Sequence, residues 1–118
     1  MNAPCLCIER MNDVAVATVT TESMDETLAT ELVDELIGCI RYDNVHHFVI
    51  DLAQVRRINS AALQALINLL QELEHIHGRV VIANCTPTVE SVFTTTRLDS
   101  LFDIFDDVED ALAEVTPQ

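Results

Sequence analysis

Ser60 is the residue whose type and placement offer the clearest chemistry. It lies in Ile58-Asn59-Ser60-Ala61-Ala62-Leu63, where a loop feeds the longest amphipathic stretch of the chain. A hydroxyl at such a helix start has two uses. It can accept a hydrogen bond from a free backbone amide, a cap worth about 1 kcal/mol. It can also carry a phosphate, because free amides and the positive helix end favour an anion there. Arg56 and Arg57 lie just upstream, two of six basic residues in a chain without Lys. They suit an exposed loop equally well as pairing with a phosphate or an acidic partner surface.

Other groups assemble less well. A loop that cradles phosphates needs closely spaced glycines, and the two present, Gly38 and Gly78, fall at helix ends. Asp51, at a strand end, is placed like the acceptor of a phospho-receiver, but that chemistry wants an acidic pair and a lysine. His75-x-His77 and His46-His47 lack the companion spacings of a metal site, and a histidine in a last helical turn is favoured by the helix dipole. Cys5-x-Cys7 puts two thiols on one strand face, unlike a redox Cys-x-x-Cys. Cys39 and Cys85 sit in apolar runs and read as small buried hydrophobes. No nucleophile, base and orienting group come together, so the expectation is a non-enzyme without metal or cofactor.

The elements that must position Ser60 follow from periodicity. Leu6–Arg10 and Val14–Val19 alternate and flank the turn-prone Met11-Asn12-Asp13, which predicts a hairpin. Ser23-Met24-Asp25-Glu26 has the spacing of a capping box, and Leu28, Leu32, Val33, Leu36, Ile37 and Ile40 then share one face of a helix expected to reach about Tyr42. Phe48-Val49-Ile50 has the continuous apolar character of a strand buried on both faces. Leu63, Leu66, Ile67, Leu70, Leu73 and Ile76 mark a helix ending at Gly78, read as a left-handed C-cap, and Arg79–Ala83 supplies the next strand. Thr86-Pro87 opens another helix with Val89, Val92 and Phe93 inward. An edge strand over Leu101–Phe105 and a helix over Asp106–Val115 complete an α/β pattern.

Composition narrows the partners. The 118 residues suit one domain, 1–118, and 49% hydrophobic residues suffice for a core. Twenty acidic against six basic residues give −14, which opposes nucleic-acid binding because phosphates need a basic surface. No run is long and apolar enough for membrane insertion, the N-terminus lacks signal-peptide features, and the cysteine usage fits a reducing compartment. A cytoplasmic location is expected.

The order of elements resembles the STAS domain, the fold of bacterial anti-sigma-factor antagonists. The resemblance runs through strand Phe48–Leu52, the loop to Leu63, the helix to Gly78, strand Val80–Ala83, Thr86-Pro87, the stretch Thr96–Phe105 and Ala111-Leu112. It implies a single domain with a mixed four- to five-stranded sheet and about four helices. In that family the loop reads Asp-Ser-Ser/Thr-Gly-Leu, and its first Ser is phosphorylated by an anti-sigma factor that is also a serine kinase. Ser60 takes the acceptor position; Asn59 replaces the Asp, Ala61 the second hydroxyl residue and Ala62 the Gly, while Leu63 is kept. Asp25 matches an Asp that often lines the same surface. The resemblance thus implies a phosphoacceptor at Ser60 and a partner surface of Asp25, Arg56, Arg57, Asn59, Ala61, Ala62 and Leu63 on a monomer or weak dimer. Two other roles suit the same fold: a cytosolic accessory subunit of a membrane transporter, and a small-molecule or nucleotide sensor.

Overall fold

The computed structural model describes residues 6–11 and 13–115; Cys5 and Asn12 lie outside them. Strand β1 (Leu6–Met11) pairs antiparallel with β2 (Val14–Val19) as the expected hairpin. A two-residue strand, β3 (Ser23–Met24), precedes α1 (Glu26–Asp43), which is followed by β4 (His47–Asp51). A second two-residue strand, β5 (Arg57–Ile58), leads into α2 (Ser60–His75), then β6 (Arg79–Ala83), α3 (Pro87–Thr95), β7 (Ile104–Phe105) and α4 (Val108–Val115).

The main sheet has the order β1-β2-β4-β6-β7, parallel apart from the hairpin, and β3 and β5 form a separate parallel pair. Alternation along β4 explains its continuous apolar run. Phe48 and Ile50 enter the larger core with Leu32 and Leu36 of α1 and Leu66 and Leu73 of α2, whereas Val49 joins the smaller core under α4 with Val81, Ala111 and Val115. A strand covered on both faces has no polar side to show.

Several boundaries differ from expectation for identifiable reasons. Ser23 does not make a capping box, because its backbone is taken up by β3; Asp25 caps α1 instead, its Oδ1 accepting from Leu28 N at 3.0 Å. Helix α2 stops at His75, and the left-handed residue beyond it is His77 (φ 57), not Gly78. Glycine is needed at 78 for space: a Cβ there would stand 2.6 Å from the His46 carbonyl oxygen and 2.8 Å from Leu73 Cδ2. Only Ile104 and Phe105 of the expected last strand pair with β6; Leu98–Ser100 forms a 3-10 turn, Leu101 is exposed, and Phe102 packs edge-on against Phe93 at 5.9 Å. Thr86 and Pro87 open α3 as expected.

Candidate functional site

The β3–β5 pair sets the geometry around Ser60. Ser23 lies opposite Arg57 and Met24 opposite Ile58, and each strand runs directly into a helix. Asn59 N donates to Met24 O at 3.2 Å, which locks the two helix entries side by side. Asp25 caps α1, and Asn59 caps α2 through Oδ1, which accepts from Ala62 N at 2.9 Å. The cap of α2 is therefore Asn59, and Ser60 occupies the first helical position, exposed, with no hydrogen bond to its hydroxyl among the described residues.

The loop before Ser60 is held from three sides. Leu52 N donates to Ala83 O at 3.0 Å, and the Thr86 hydroxyl donates to Val55 O at 2.8 Å. The amides of Arg56 and Arg57 both donate to Glu22 O, at 2.7 and 2.9 Å. Val55 is itself fully buried. Sequence reasoning missed Glu22 and Thr86 as anchors because each acts across the fold; of Thr86 only the capping signal was visible.

The two arginines turn toward the β2–β3 connection. Arg57 Nε donates to Ser23 Oγ at 2.9 Å, and Arg56 Nε stands 3.8 Å from Glu22 Oε1 with both side chains largely exposed. An exposed pair of this length contributes about 0–1 kcal/mol, so Arg56 is free to exchange partners.

The expected surface divides in two. Asp25, Arg56, Arg57 and Asn59 are exposed and Ala61 is half-buried at the first turn of α2. Ala62 and Leu63 face inward, 0% and 8% exposed, and pack in the main core. Their place in the surface expectation is corrected accordingly: helical periodicity turns them under α2, where they seat the helix that carries Ser60.

Asp51, Cys85, Cys39 and His47 are bound up in structure, whereas Cys7, His75 and His77 are exposed. Asp51 Oδ1 accepts from Ala53 N at 3.0 Å and from Asn84 Nδ2 at 3.2 Å, tying the ends of β4 and β6. Burial, with Glu90 adding to it, pushes the Cys85 thiol up to about 12, and burial raises Cys39 also, with Asp43 adding. Neither is a ready thiolate. Burial lowers His47, His46 beside it adds to this, and its Nδ1 is buried without a hydrogen-bond partner among the described residues. Among those residues no three His, Cys, Asp or Glu side chains come together to hold a metal ion, and no helix is long and apolar enough to cross a membrane.

Known proteins share this architecture. A Thermotoga neapolitana protein named as a TM1081 homolog and candidate anti-sigma factor antagonist is 31% identical over 64 residues, 54% of this chain and 57% of that protein's length. The chain thus aligns with little more than half of that curated relative. The crystal structure of TM1081 from Thermotoga maritima, described as a candidate anti-sigma factor antagonist, superposes with TM-score 0.81 at 19% identity over 95% of both chains. The phosphorylated form of the Bacillus cell fate determinant SpoIIAA superposes with TM-score 0.72 at 18% identity over 93% of this chain and 98% of that one. At such identities the likeness of structures concerns the fold. The family model for the STAS domain matches residues 8–111, from the first strand into the last helix, and the chain belongs to that family.

Proposed function

We propose that this protein is an anti-sigma-factor antagonist: a non-catalytic switch that binds an anti-sigma factor with serine kinase activity and is turned off by phosphorylation of Ser60. The surface is formed by Asp25, Arg56, Arg57, Asn59 and Ala61 around that hydroxyl. One observation carries most of the support. Because Asn59 supplies the cap, the Ser60 hydroxyl is exposed and has no structural duty, so it is available for chemistry without cost to the fold.

In the modification, Ser60 Oγ attacks the γ-phosphorus of ATP, the bond to the β-phosphate oxygen breaks, ADP leaves, and the serine proton passes to a base of the kinase. The product carries about −1.5 to −2 charge at the middle of the docking surface. A like charge about 4 Å away in the partner costs about 4 kcal/mol at intermediate dielectric, or several hundred-fold in affinity. No conformational change is required.

The test is incubation with an ATP-binding anti-sigma partner and ATP, followed by intact mass and calorimetry. The expected result is one added phosphate, absent in Ser60→Ala, and binding of the unmodified form only. Equal affinity of both forms sinks the switch. Recovery of a transporter ATPase as the sole partner points to the accessory-subunit role, and a rise in melting temperature with a nucleotide points to a sensor.

A further inference from the structure

A groove of about 430 Å³ runs between α1 and α2 beside Ser60, lined by Glu26 and Thr30 from one helix and Ala61, Gln64, Ala65 and Asn68 from the other. Its two walls differ in character. The α2 wall belongs to the longest stretch of the chain without a charged residue, Ile58–Gln71, although Gln64, Asn68 and Gln71 are exposed and the molecule carries −14. Gln64 Nε2 donates to Asn68 Oδ1 at 3.1 Å, so these amides satisfy each other in part. Ala61 and Ala65, one turn apart and half-buried, leave the floor open. The centres of protein interfaces are depleted in charge, and a neutral wall on an acidic protein is the part least costly to desolvate.

The α1 wall carries one carboxylate, Glu26, one turn before Thr30, and both are exposed. Glu26 belongs to no ion pair among the described residues, where the acidic partners of Arg10, Arg56 and Arg79 are Asp43, Glu22, Asp103 and Glu114. Two parallel helical walls with small residues between them match the ridge of a third helix.

We infer that this groove receives one α-helix of the protein partner, apolar or small along its buried ridge and carrying Arg or Lys along the edge that faces Glu26. The inference rests on reading the Ser60 surface as a partner-binding one and specifies the partner's chemistry. A complementary positive edge selects the orientation of the helix and speeds encounter, while the neutral α2 wall supplies the buried contact.

The test uses the full chain, labelled with ¹⁵N, and two stapled helical peptides with the same Ala/Leu ridge, one with Lys and Arg along an edge and the other with Glu there. The basic peptide is expected to give saturable shifts at Thr30, Gln64, Ala65 and Asn68, with the acidic one at least about tenfold weaker. The variant Glu26→Gln should bring the two peptides within about threefold. Gln64→Arg, an exposed change whose fold is checked by melting, should weaken the basic peptide about tenfold or more. Shifts centred on the acidic stretch Asp99–Glu114, absence of saturable shifts in the groove, or indifference to Gln64→Arg would overturn the inference. Loss of phosphoryl transfer to Ser60 with groove binding intact would sink the switch alone, and the reverse result would sink the groove alone.

Discussion

Glu26 and Ser60 hold equivalent places in adjacent helices: each is the first helical residue after a capping side chain, Asp25 or Asn59, and the strands before them pair Met24 with Ile58. Glu26 and the neighbouring Ala61 line the same groove. A negative charge placed on Ser60 therefore gains from the end of α2, by about 0.3–1 kcal/mol, and loses to the carboxylate at the end of α1. The two effects predict that Ser60→Asp is close to neutral in the native background and stabilising in Glu26→Gln. Urea melts of the four proteins in a double-mutant cycle check this, with a coupling that shrinks as salt is added. A coupling of zero at low salt would show that the two helix ends do not share a field.

The division of labour between Asn59 and Ser60 gives a second expectation. Asn59→Ala removes the bond from Ala62 N and should cost about 0.5–2 kcal/mol. Ser60→Ala removes a hydroxyl with no structural partner and should change stability by less than about 0.5 kcal/mol. Asn59→Asp keeps the acceptor and adds a charge that the helix end favours, so it should match or exceed the native protein. Chemical denaturation distinguishes these outcomes, and a larger loss for Ser60→Ala than for Asn59→Ala would mean that the cap has been misassigned.

The long periodic elements were legible in the sequence because their signal is local. Phe48-Val49-Ile50, the apolar face of α2 and Thr86-Pro87 each carry a pattern that only one element satisfies. The site was legible in its centre, since a hydroxyl beside Asn at the start of a long helix marks a cap region whichever residue does the capping. What stayed hidden depends on partners distant in the chain. Two-residue strands have no period, so β3 and β5 could not be read, and the Ser23 to Glu26 spacing imitated a capping box that pairing with Arg57 and Ile58 displaces. Ala62 and Leu63 were read as surface because the loop was taken residue by residue; the helix that begins at Ser60 turns them inward.

The two glycines should respond in opposite directions to alanine. Gly38 lies inside α1 rather than at the helix end expected from the sequence, with nothing inside 4 Å of a built Cβ, so Gly38→Ala should stabilise by about 0.5–1 kcal/mol through helix propensity. Gly78→Ala would drive a methyl into the His46 carbonyl oxygen and Leu73 Cδ2, at 2.6 and 2.8 Å. The backbone there is fixed by Arg79 N donating to His46 O at 3.0 Å, and overpacking of this kind costs about 1–3 kcal/mol. Thermal melts of both variants test it, and a neutral Gly78→Ala would show that the connection between α2 and β6 yields easily.

His47 gives the fold a dependence on pH. Its imidazole is held below the ordinary value of 6.5 by burial, with His46 and Arg79 acting in the same direction and Asp13 opposing them. The unfolded chain therefore binds this proton first as pH falls. Stability contributed by the neutral ring is complete above 6.5, declines as pH drops toward the folded value, and levels off below it. The informative quantity is the difference between the native protein and His47→Gln in urea melts at several pH values. That difference should move against the native protein on acidification; a constant difference would show that the ring titrates alike in both states.

Thr86 joins the loop before Ser60 to α3. Its hydroxyl donates to Val55 O at 2.8 Å and its oxygen accepts from Val89 N at the long distance of 3.5 Å, so one atom anchors the loop and caps α3. Thr86→Ala should lose both contacts, at about 1–2 kcal/mol for the cap and the unpaired carbonyl. Thr86→Ser keeps the oxygen and should recover most of the loss. A purely local cap would raise amide exchange only in the first turn of α3. The bond to Val55 requires more, because Val55 is buried and the next two amides are pinned to Glu22 O: exchange at Arg56 and Arg57 should quicken in Thr86→Ala and return to native rates in Thr86→Ser. Unchanged rates at those two amides would show that Glu22 holds them without help from Thr86 and that α3 has no hold on the Ser60 surface.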